Sequence, residues 1–482
     1  MSVSPCIVWF RQDLRLTDNP ALRAAARRGG PVIPVYIWAP QEEGVWAPGA
    51  ASRWWLHESL TSLSADLSKA GSRLVICSGS SLEQLRRLIE ETGAGAVHWN
   101  RRYEPAAIER DREIKKALAG AGVEASSFRA QLLFEPWEVE TGSGGPYKVF
   151  TPFWKACLSR PDPDEPVRRP RLDPPPGSAP AGLAVESLGL LPKIDWSAGL
   201  RKKWRPGERN ARARLRRFVD RGLPTYELDR DKPALPGTSG LSPHLHFGEI
   251  GPRGVWHAVR RAEAASDAIG MARGAETFLA ELGWREFAHH LLFHFPETTE
   301  QPLRDTFRGF PWRSDKKGLR AWQRGRTGYP LVDAGMRELW ATGTMHNRVR
   351  MVAASFLTKD LLVPWQRGAE WFWDTLVDAD LASNTLGWQW TAGCGADAAP
   401  FFRIFNPVTQ GVKFDPGGEY VRTWVPELRK LPDRFVHAPW EAPDQVLAGA
   451  EVRIGRDYPQ RIVDHGLARR RALDAYERVR SA

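Results

Sequence analysis

The sequence has little cysteine and no long apolar run. Its four cysteines among 482 residues form no CxxC pair, so the sequence indicates neither a zinc module nor a disulfide framework. No stretch approaches the roughly 20 apolar residues that a membrane-spanning helix needs. The amino terminus lacks a basic segment followed by an apolar one, and nothing there suggests export. We therefore expect a protein of the reducing cytoplasm.

A glycine-rich phosphate loop is also missing. The turn after the first predicted strand reads WFRQD over residues 9–13 rather than GxGxxG. This argues against a dinucleotide bound in the ordinary Rossmann manner. What the chain does have is a 42% share of hydrophobic residues, which is too high for a disordered chain. Its length predicts two or three domains.

Positive charge and tryptophan are the abundant features. Residues 1–200 carry 24 Lys and Arg against 23 Asp and Glu, a net charge of +1, out of +11 for the whole chain. Residues 201–482 therefore carry 44 against 34, a net charge of +10. Such an excess is typical of a protein that binds a polyanion, although a basic protein from an arginine-rich proteome would also show it. The 22 tryptophans are explained by burial, or in part by transfer of single electrons.

The first 130 residues alternate strand-like and helical segments. The strand-like runs are 7–10, 32–37, 74–77 and 96–99, and the helical ones are 53–70, 82–92 and 105–119. Asn19 has the character of an N-cap, and Pro20 that of the first helical residue. The alternation predicts an α/β domain over residues 1–130, with a parallel sheet that has helices on both faces.

Residues 131–200 lose this periodicity. Prolines exclude a helix through most of 160–182, and they include the run Pro174, Pro175 and Pro176. The segment is therefore predicted to be an interdomain linker. Beyond residue 200 the pattern is helical nearly to the end, which predicts an all-α domain over residues 201–482.

Two clusters in the helical part have the residue types of a binding site. The loop at 237–243 is rich in small and hydroxyl residues, with Ser242 as a predicted N-cap. It suits a phosphate or diphosphate, or it is an ordinary turn. The second cluster contains Glu281, Trp284 and Arg285. Glu281 and Arg285 stand four apart and could simply pair on one helix face, whereas Trp284 and Arg285 could bind a base and a phosphate.

A third cluster joins 344–351 to 378–390. Two carboxylates, an amide and two tryptophans fall within the thirteen residues 378–390, which a packed core with capping carboxylates would also explain. No Cys or His stands at ligand spacing, so we expect no metal. No Ser/His/Asp or Cys/His pairing indicates nucleophilic catalysis.

Several motifs, in order along the chain, resemble those of the photolyase/cryptochrome family. They are IVWFRQDLRL at 7–16, GTS at 237–239, WREF at 284–287, HNR at 346–348, GWQW at 387–390, DAAP at 397–400 and FRIFNP at 402–407. The resemblance covers essentially the whole chain. It implies an α/β antenna domain, Rossmann-like but without GxGxxG, followed by an all-α domain that binds FAD. It also implies light-dependent DNA repair, in which excited, reduced FAD (FADH⁻) splits cyclobutane pyrimidine dimers by electron transfer.

Matching motif positions imply three sets of site residues. FAD would be held by Tyr226, Thr238, Ser239, Leu241, Ser242, Arg285, Asn347, Arg350, Asp378, Asp380 and Asn384. The substrate would be bound by Glu281, Trp284, Asn347, Met351 and Trp390 at the flipped dimer, and by Arg230 and Arg348 as DNA or lesion-side contacts. The predicted catalytic residues are Glu281 at the pyrimidine edge, Asn384 near flavin N5, and Trp388, Trp365 and Trp322 as an electron relay from the flavin to the surface. Gly240 stands where many relatives have arginine, so part of the phosphate contact is expected from elsewhere.

Two rival functions stay open. A cryptochrome-like blue-light photoreceptor is disfavoured by the absence of a tail after the final helical motif and by Asn384. Repair of the 6–4 photoproduct is disfavoured because Asn347 and Met351 stand where that branch has histidines. We expect a monomer that binds UV-damaged DNA and no membrane. A second, antenna chromophore is also expected, with methenyltetrahydrofolate slightly favoured over 8-hydroxydeazaflavin, although Glu109 alone is interpreted as a surface residue rather than a folate contact.

Overall fold

The computed structural model describes residues 3–173, 180–398 and 402–481. The predicted proline run at 174–176 and the Ala399 and Pro400 of the DAAP motif lie outside these ranges. The strands described are β1 (Cys6–Phe10), β2 (Val32–Trp38), β3 (Val75–Ser78), β4 (Ala96–Asn100) and β5 (Glu124–Phe128). The α-helices described are α1 (Pro20–Arg27), α2 (Ala50–Ser68), α3 (Ser81–Thr92), α4 (Pro105–Gly120), α5 (Phe150–Leu158), α6 (Ala198–Lys203), α7 (Glu208–Arg217), α8 (Tyr226–Asp229), α9 (Ser242–His246), α10 (Pro252–Ala264), α11 (Ile269–His294), α12 (Lys316–Gln323), α13 (Pro330–Thr342), α14 (Asn347–Ser355), α15 (Trp365–Thr375), α16 (Leu381–Ala392), α17 (Pro407–Phe414), α18 (Glu419–Trp424), α19 (Asp433–Val436), α20 (Asp444–Gly449) and α21 (His465–Ser481).

The chain forms two compact units. Unit 1 comprises Met1–Pro224, Ser239–Pro296 and Val377–Ala382, and unit 2 comprises Thr225–Thr238, Glu297–Leu376 and Ser383–Ala482. These units do not follow the predicted boundaries at residues 130 and 200. Most of the chain from 201 to 296 clusters with the α/β part rather than with the later helices.

The sheet of unit 1 is parallel throughout, with strand order β3-β2-β1-β4-β5. Alternate residues of β1 enter different cores: Cys6, Val8 and Phe10 pack in one hydrophobic cluster, and Ile7 and Trp9 pack in the other. Both faces of the strand are therefore buried, as its continuous apolar sequence indicates. The predicted parallel sheet with helices on both faces is confirmed.

Prediction of the elements in this part was accurate except at one edge. The four predicted strands and three predicted helices are present, shifted by at most three residues at an end. Asn19 caps α1 as predicted, because its Oδ1 accepts a hydrogen bond from Leu22 N (3.1 Å). Strand β5 was missed, since its sequence EASSF is mostly polar and only partly buried. An edge strand needs no apolar alternation when its exposed side faces water.

The segment predicted as a linker packs onto the sheet. It contains helix α5, and no helix is described between Ser159 and Ala184, as the prolines predict. Leu172, Val185 and Leu188 are buried in the same cluster as Val8. The segment is therefore part of unit 1 rather than a spacer.

Unit 2 is helical. Helices α14, α15 and α16 carry most of its predicted site residues, and a π-helical turn at Phe356–Asp360 follows α14. No helix in the described part of the chain is long and apolar enough to cross a membrane.

Candidate functional site

The hydroxyl-rich loop at 237–243 belongs to unit 1 from Ser239 onward and runs into α9. The Ser239 Oγ accepts from Leu241 N (3.3 Å), which folds the loop back on itself. Helix α9 begins at Ser242 and has Leu241 as its N-cap, so the prediction that Ser242 is the N-cap is wrong by one residue. A residue already inside the first helical turn does not cap its own helix in the usual way. The Ser242 hydroxyl instead donates to Asp378 Oδ2 (2.6 Å), which joins two residues of the predicted FAD set.

Asp380 lies in a polar pocket of unit 1. Its Oδ2 is 3.5 Å from His289 Nε2 and 3.8 Å from His246 Nδ1. Burial alone would raise the pKa of Asp380, but His289, His246 and the Arg285 guanidinium lower that pKa well below its usual range. Asp380 is therefore a buried carboxylate that stays ionised and can accept hydrogen bonds from a ligand.

Arg285, on α11, uses one guanidinium nitrogen in a hydrogen bond to the protein and has a second that could bind a ligand. Its Nη1 donates to the Gln131 carbonyl (2.6 Å). Its Nη2 is buried and has no hydrogen-bond partner among the residues described. An unpaired buried donor is costly unless something else satisfies it. The neighbouring Glu286 also lies on α11, and burial raises the pKa of its carboxyl to about 7.

Trp284 presents a stacked indole. Its ring lies parallel to that of Phe150, with centroids 3.8 Å apart and an angle of 10° between the planes. The residue before it has no room for a side chain, because a Cβ on Gly283 would lie 2.6 Å from the Trp154 ring. Trp284 and Glu281 are both half-exposed on the same helix. Phe150 was not singled out from the sequence, since its contact with Trp284 joins segments that are far apart along the chain.

The Asn384 side chain is positioned by a hydrogen bond within unit 2. Its Nδ2, on α16, donates to the Ala369 carbonyl of α15 (3.1 Å). This hydrogen bond uses the amide as a donor and leaves its Oδ1 to accept from an N–H group. A neutral acceptor places no negative charge beside an electron-rich ligand, whereas a carboxylate would.

Two of the three predicted relay tryptophans lie together. The ring centroids of Trp388 and Trp322 are 6.1 Å apart. The Phe372 centroid lies 5.0 Å from that of Trp388 and 6.0 Å from that of Trp322. Trp365 is buried too, but within the described ranges it makes no ring contact with either. Trp388 fits against α15 only because of Gly368, where a Cβ would lie 2.0 Å from the indole.

The prediction that Trp322 forms the surface end is wrong. Trp322 is 0% exposed and donates its Nε1 proton to the Ala353 carbonyl (2.9 Å), because it stands on the buried face of α12. Trp312 is half-exposed and lines a cleft of about 620 Å³ together with Pro364, the residue before Trp365. Sequence reasoning gave Trp312 no role, because exposure cannot be read from spacing.

Helix α14 presents polar side chains in unit 2. Asn347 is its exposed first residue, and Met351 is half-exposed one turn later. Arg348 pairs with Asp231 (Nη2 to Oδ2, 2.6 Å), and its guanidinium lies 4.4 Å from the centre of the Phe414 ring. Asp231 was missed by the sequence analysis, since nothing in the sequence links it to Arg348.

The remaining predicted residues also lie in unit 2. Arg350 Nε donates to the Met345 carbonyl (2.7 Å). The Arg230 guanidinium lies 5.4 Å from the ring centre of the buried Tyr226. Trp390 stacks on Phe405, with centroids 6.4 Å apart. Thr238 is exposed at the end of its segment.

The donor set suits a polar organic ligand. In unit 1, the hydroxyls and a guanidinium nitrogen that has no partner among the residues described match phosphates, and the ionised carboxylate matches ribityl hydroxyls. In unit 2, the neutral amide of Asn384 matches a ring N–H group. Among the residues described, no three His, Cys, Asp or Glu side chains are grouped as metal ligands would be. The residues present therefore fit FAD.

Comparisons with known proteins identify the family to which the chain belongs. Residues 6–173 match the family described as DNA photolyase, and residues 278–478 match the FAD binding domain of DNA photolyase. The chain is 52% identical over 481 residues to the deoxyribodipyrimidine photo-lyase of Agrobacterium fabrum, covering 100% of this chain and 99% of that protein. It is also 44% identical to cryptochrome-1 of Arabidopsis thaliana, covering 99% of this chain and 72% of that protein.

Solved structures give the same result. A bacterial class III photolyase from Agrobacterium tumefaciens superposes with a TM-score of 0.96 at 52% identity, covering 100% of this chain and 99% of that one. A Synechocystis cryptochrome superposes with a TM-score of 0.88 at 29% identity, covering 98% and 100% of the two chains. Matched families, near-complete coverage and high identity leave one conclusion. The chain belongs to the photolyase/cryptochrome family, with an amino-terminal photolyase domain and a carboxy-terminal FAD-binding domain.

Proposed function

We propose that this chain is a deoxyribodipyrimidine photo-lyase that splits cyclobutane pyrimidine dimers in UV-damaged DNA when illuminated. The observation that carries the proposal is the 52% identity, over the full chain, to a protein of that name. When bound, reduced FAD that has absorbed light supplies the electron that breaks the ring of the dimer, and it takes the electron back afterwards. The remaining tasks, which are binding, orientation and exclusion of water, belong to the chain.

The flavin is proposed to be held by the residues that match the family's cofactor-binding positions. They are Tyr226, Thr238, Ser239, Leu241, Ser242, Arg285, Asn347, Arg350, Asp378, Asp380 and Asn384. Nη2 of Arg285 supports this assignment, because a buried cationic donor with no hydrogen-bond partner in the described part of the chain suits an acceptor on a ligand. The Ser242–Asp378 hydrogen bond supports it as well, since it gives the two polar groups one fixed arrangement.

The dimer is proposed to contact Glu281, Trp284, Asn347, Met351 and Trp390, and the DNA around it is proposed to contact Arg230 and Arg348. An indole gives an extruded base a flat surface on which to stack, worth about 1–3 kcal/mol per base. Trp284 has one face on Phe150, which fixes the plane of the indole. Extrusion costs a few kcal/mol and is least costly for a damaged site, so stacking of this size offsets it.

The relay is proposed to use Trp388, Trp365 and Trp322, with Trp312 rather than Trp322 as its exposed end. The contact of 6.1 Å between Trp388 and Trp322 supports electron passage between their rings. Because Trp322 is fully buried, a relay that reaches solvent needs a further, accessible indole, and Trp312 is half-exposed. These residues serve photoreduction of the cofactor and are not required for repair.

A second candidate function is a cryptochrome-like photoreceptor, which the 44% identity to an Arabidopsis cryptochrome keeps in view. The two functions differ in whether illuminated protein restores pyrimidines in damaged DNA. Repair of the 6–4 photoproduct is disfavoured, since Asn347 and Met351 offer no titratable group for proton transfer.

An antenna chromophore is proposed as well, with folate favoured over deazaflavin. Glu109 does not support the folate assignment, because its side chain is 59% exposed and pairs with Arg112 on the surface of α4. A photolyase of Sulfolobus tokodaii, 31% identical, is described with two FAD molecules. The absorption spectrum of the purified protein tests both assignments: flavin bands are expected, with a separate band for any antenna, and a spectrum without flavin would contradict the proposal. We further propose a monomer that acts in the cytoplasm.

A further inference from the structure

Arg214 is a half-buried cation that has no counter-charge among the residues described. It lies on α7, and no described residue forms an ion pair or a side-chain hydrogen bond with it. Its pKa is lowered, first by burial and then by the positive charge of Arg217. By contrast, Arg212 on the same helix lies 4.0 Å from the Glu208 carboxylate. Removing a guanidinium from water without a partner is unfavourable. A bound anion next to Arg214 would offset this cost.

The Arg214 guanidinium lies against the hydroxyl-rich loop. A Cβ built on Gly240 would lie 2.5 Å from Arg214 Nη1 and 3.4 Å from its Cζ. Gly240 has a φ of +61°, a conformation that favours glycine, and the missing side chain leaves the space that the guanidinium fills. The loop residues on either side, Ser239 and Leu241, belong to the set proposed to hold FAD.

Trp204 fixes the direction of the guanidinium. The Cζ of Arg214 lies 5.1 Å from the centre of the Trp204 ring, and Trp204 is buried against the core that includes Val8. Stacking on a buried indole restricts a side chain that would otherwise sample many rotamers. Arg214 is thus pre-organised toward the loop rather than toward solvent.

We infer that Arg214 binds the diphosphate of FAD, together with the hydroxyl of Ser239. The inference rests on the proposed flavin site and adds a residue from α7 that no motif marks. A guanidinium presents paired N–H donors that match phosphate oxygens. Gly240 has no side chain that could contact a phosphate. The Arg214 guanidinium lies beside the Gly240 backbone and extends there from α7. Arg214 acts in cofactor binding and takes no part in the chemistry.

The test measures release of FAD from the purified holoprotein. Arg214→Gln removes the charge and the fork and leaves a shorter, polar side chain. A charge-assisted hydrogen bond contributes about 1.5–3 kcal/mol, so we expect release to become about ten- to a hundredfold faster. The rate is followed from the rise in fluorescence as FAD leaves the protein, and from the flavin that remains after dialysis.

Two further variants keep the test decisive. Arg214→Lys retains the charge without the fork and should release FAD at an intermediate rate, which a merely structural role would not produce. Arg216→Gln makes the same chemical change at an exposed position of α7 and should release FAD like the unaltered protein. Arg214→Gln protein that keeps its FAD as long as the unaltered holoprotein would overturn the inference. So would equal losses in Arg214→Lys and Arg214→Gln. If the unaltered protein itself holds no FAD, the proposed function fails instead.

Discussion

The position of Trp388 depends on a missing side chain. Gly368 is buried on α15, and a Cβ there would lie 2.0 Å from Cη2 of Trp388. Gly368→Ala must displace the indole or the helix, and overpacking of this kind costs about 1–3 kcal/mol. We expect a lower free energy of unfolding in urea and slower light-driven reduction of the flavin, since the Trp388–Trp322 contact is disturbed.

A matched control lies on α16 itself. Gly387 is exposed, and nothing stands within 4 Å of a Cβ built there. Gly387→Ala should raise the free energy of unfolding by about 0.5–1 kcal/mol, the ordinary gain in a helix interior. If Gly368→Ala behaved in the same way, the close packing of Trp388 against α15 would be refuted.

Single residues also show how far the sequence could predict the site. Glycine and hydroxyl content marked the loop at 237–243, but the Ser242–Asp378 hydrogen bond spans 136 residues and leaves no local pattern. Trp322 was assigned to the surface because a family motif gives order along the chain and not burial. Arg214 was one of several arginines on a helix whose basic face is typical of solvent exposure, and only the geometry separates it from Arg212.

At the scale of elements, Glu286 joins α11 to the segment that precedes α5. Its Oε2 accepts hydrogen bonds from Leu133 N (2.8 Å) and Phe134 N (3.1 Å). Burial raises the pKa of this carboxyl from 4.5 to about 7. Between these two pH values the folded protein holds a proton that the unfolded chain has released. The free energy of unfolding therefore falls as the pH rises through this window.

Glu286→Gln should abolish this decrease of the unfolding free energy with pH, because a neutral amide has no proton to release. Relative to the unaltered protein, the variant should gain roughly 2–3 kcal/mol of unfolding free energy between pH 5 and pH 8. Urea unfolding at the two pH values measures the difference. Glu276→Gln, at an exposed position of α11, serves as the control and should show no such gain. A difference for Glu286→Gln that does not change with pH would contradict the account.

Elements with strong periodicity were predictable and polar ones were not. Strands β1 to β4 are apolar because helices cover the sheet, so each stands out in the sequence. Strand β5 lies at the edge, and its Glu124 pairs with Arg28, a surface contact that gives no apolar signal. The helix boundaries near α2, α3 and α4 were close because proline, serine and glycine mark their ends.

The boundaries of the compact units could not be predicted at all. Residues 239–296 and 377–382 return to unit 1 after the chain has entered unit 2. Composition and proline content show where the secondary-structure pattern changes along the chain. They do not show which later segments pack against earlier ones. The predicted linker misled for the same reason, since Leu172 and Val185 belong to the core of the α/β unit.

At the scale of the whole molecule, the charge predicts how DNA binding responds to salt. The net charge of +10 lies in residues 201–482. Affinity for damaged duplex should fall by about 0.9 log unit per log unit of salt for each phosphate contacted. Arg348→Gln should reduce that slope by about one contact, whereas Arg453→Gln, which removes an exposed pair with Asp457, should leave it unchanged. Fluorescence anisotropy over a salt series measures both slopes. An affinity that does not change with salt concentration would show that the charge excess plays no part in DNA binding.

The central claim is that light and this protein together reverse the damage. The most direct test illuminates anaerobic, reduced holoprotein with blue light in the presence of an oligonucleotide that contains one cyclobutane thymine dimer, and follows recovery of thymine absorbance. We predict recovery with many turnovers per protein molecule, none in the dark, and no net consumption of reductant. Protein that binds flavin, reduces it and absorbs the light but restores no thymine would contradict the account and favour a photoreceptor.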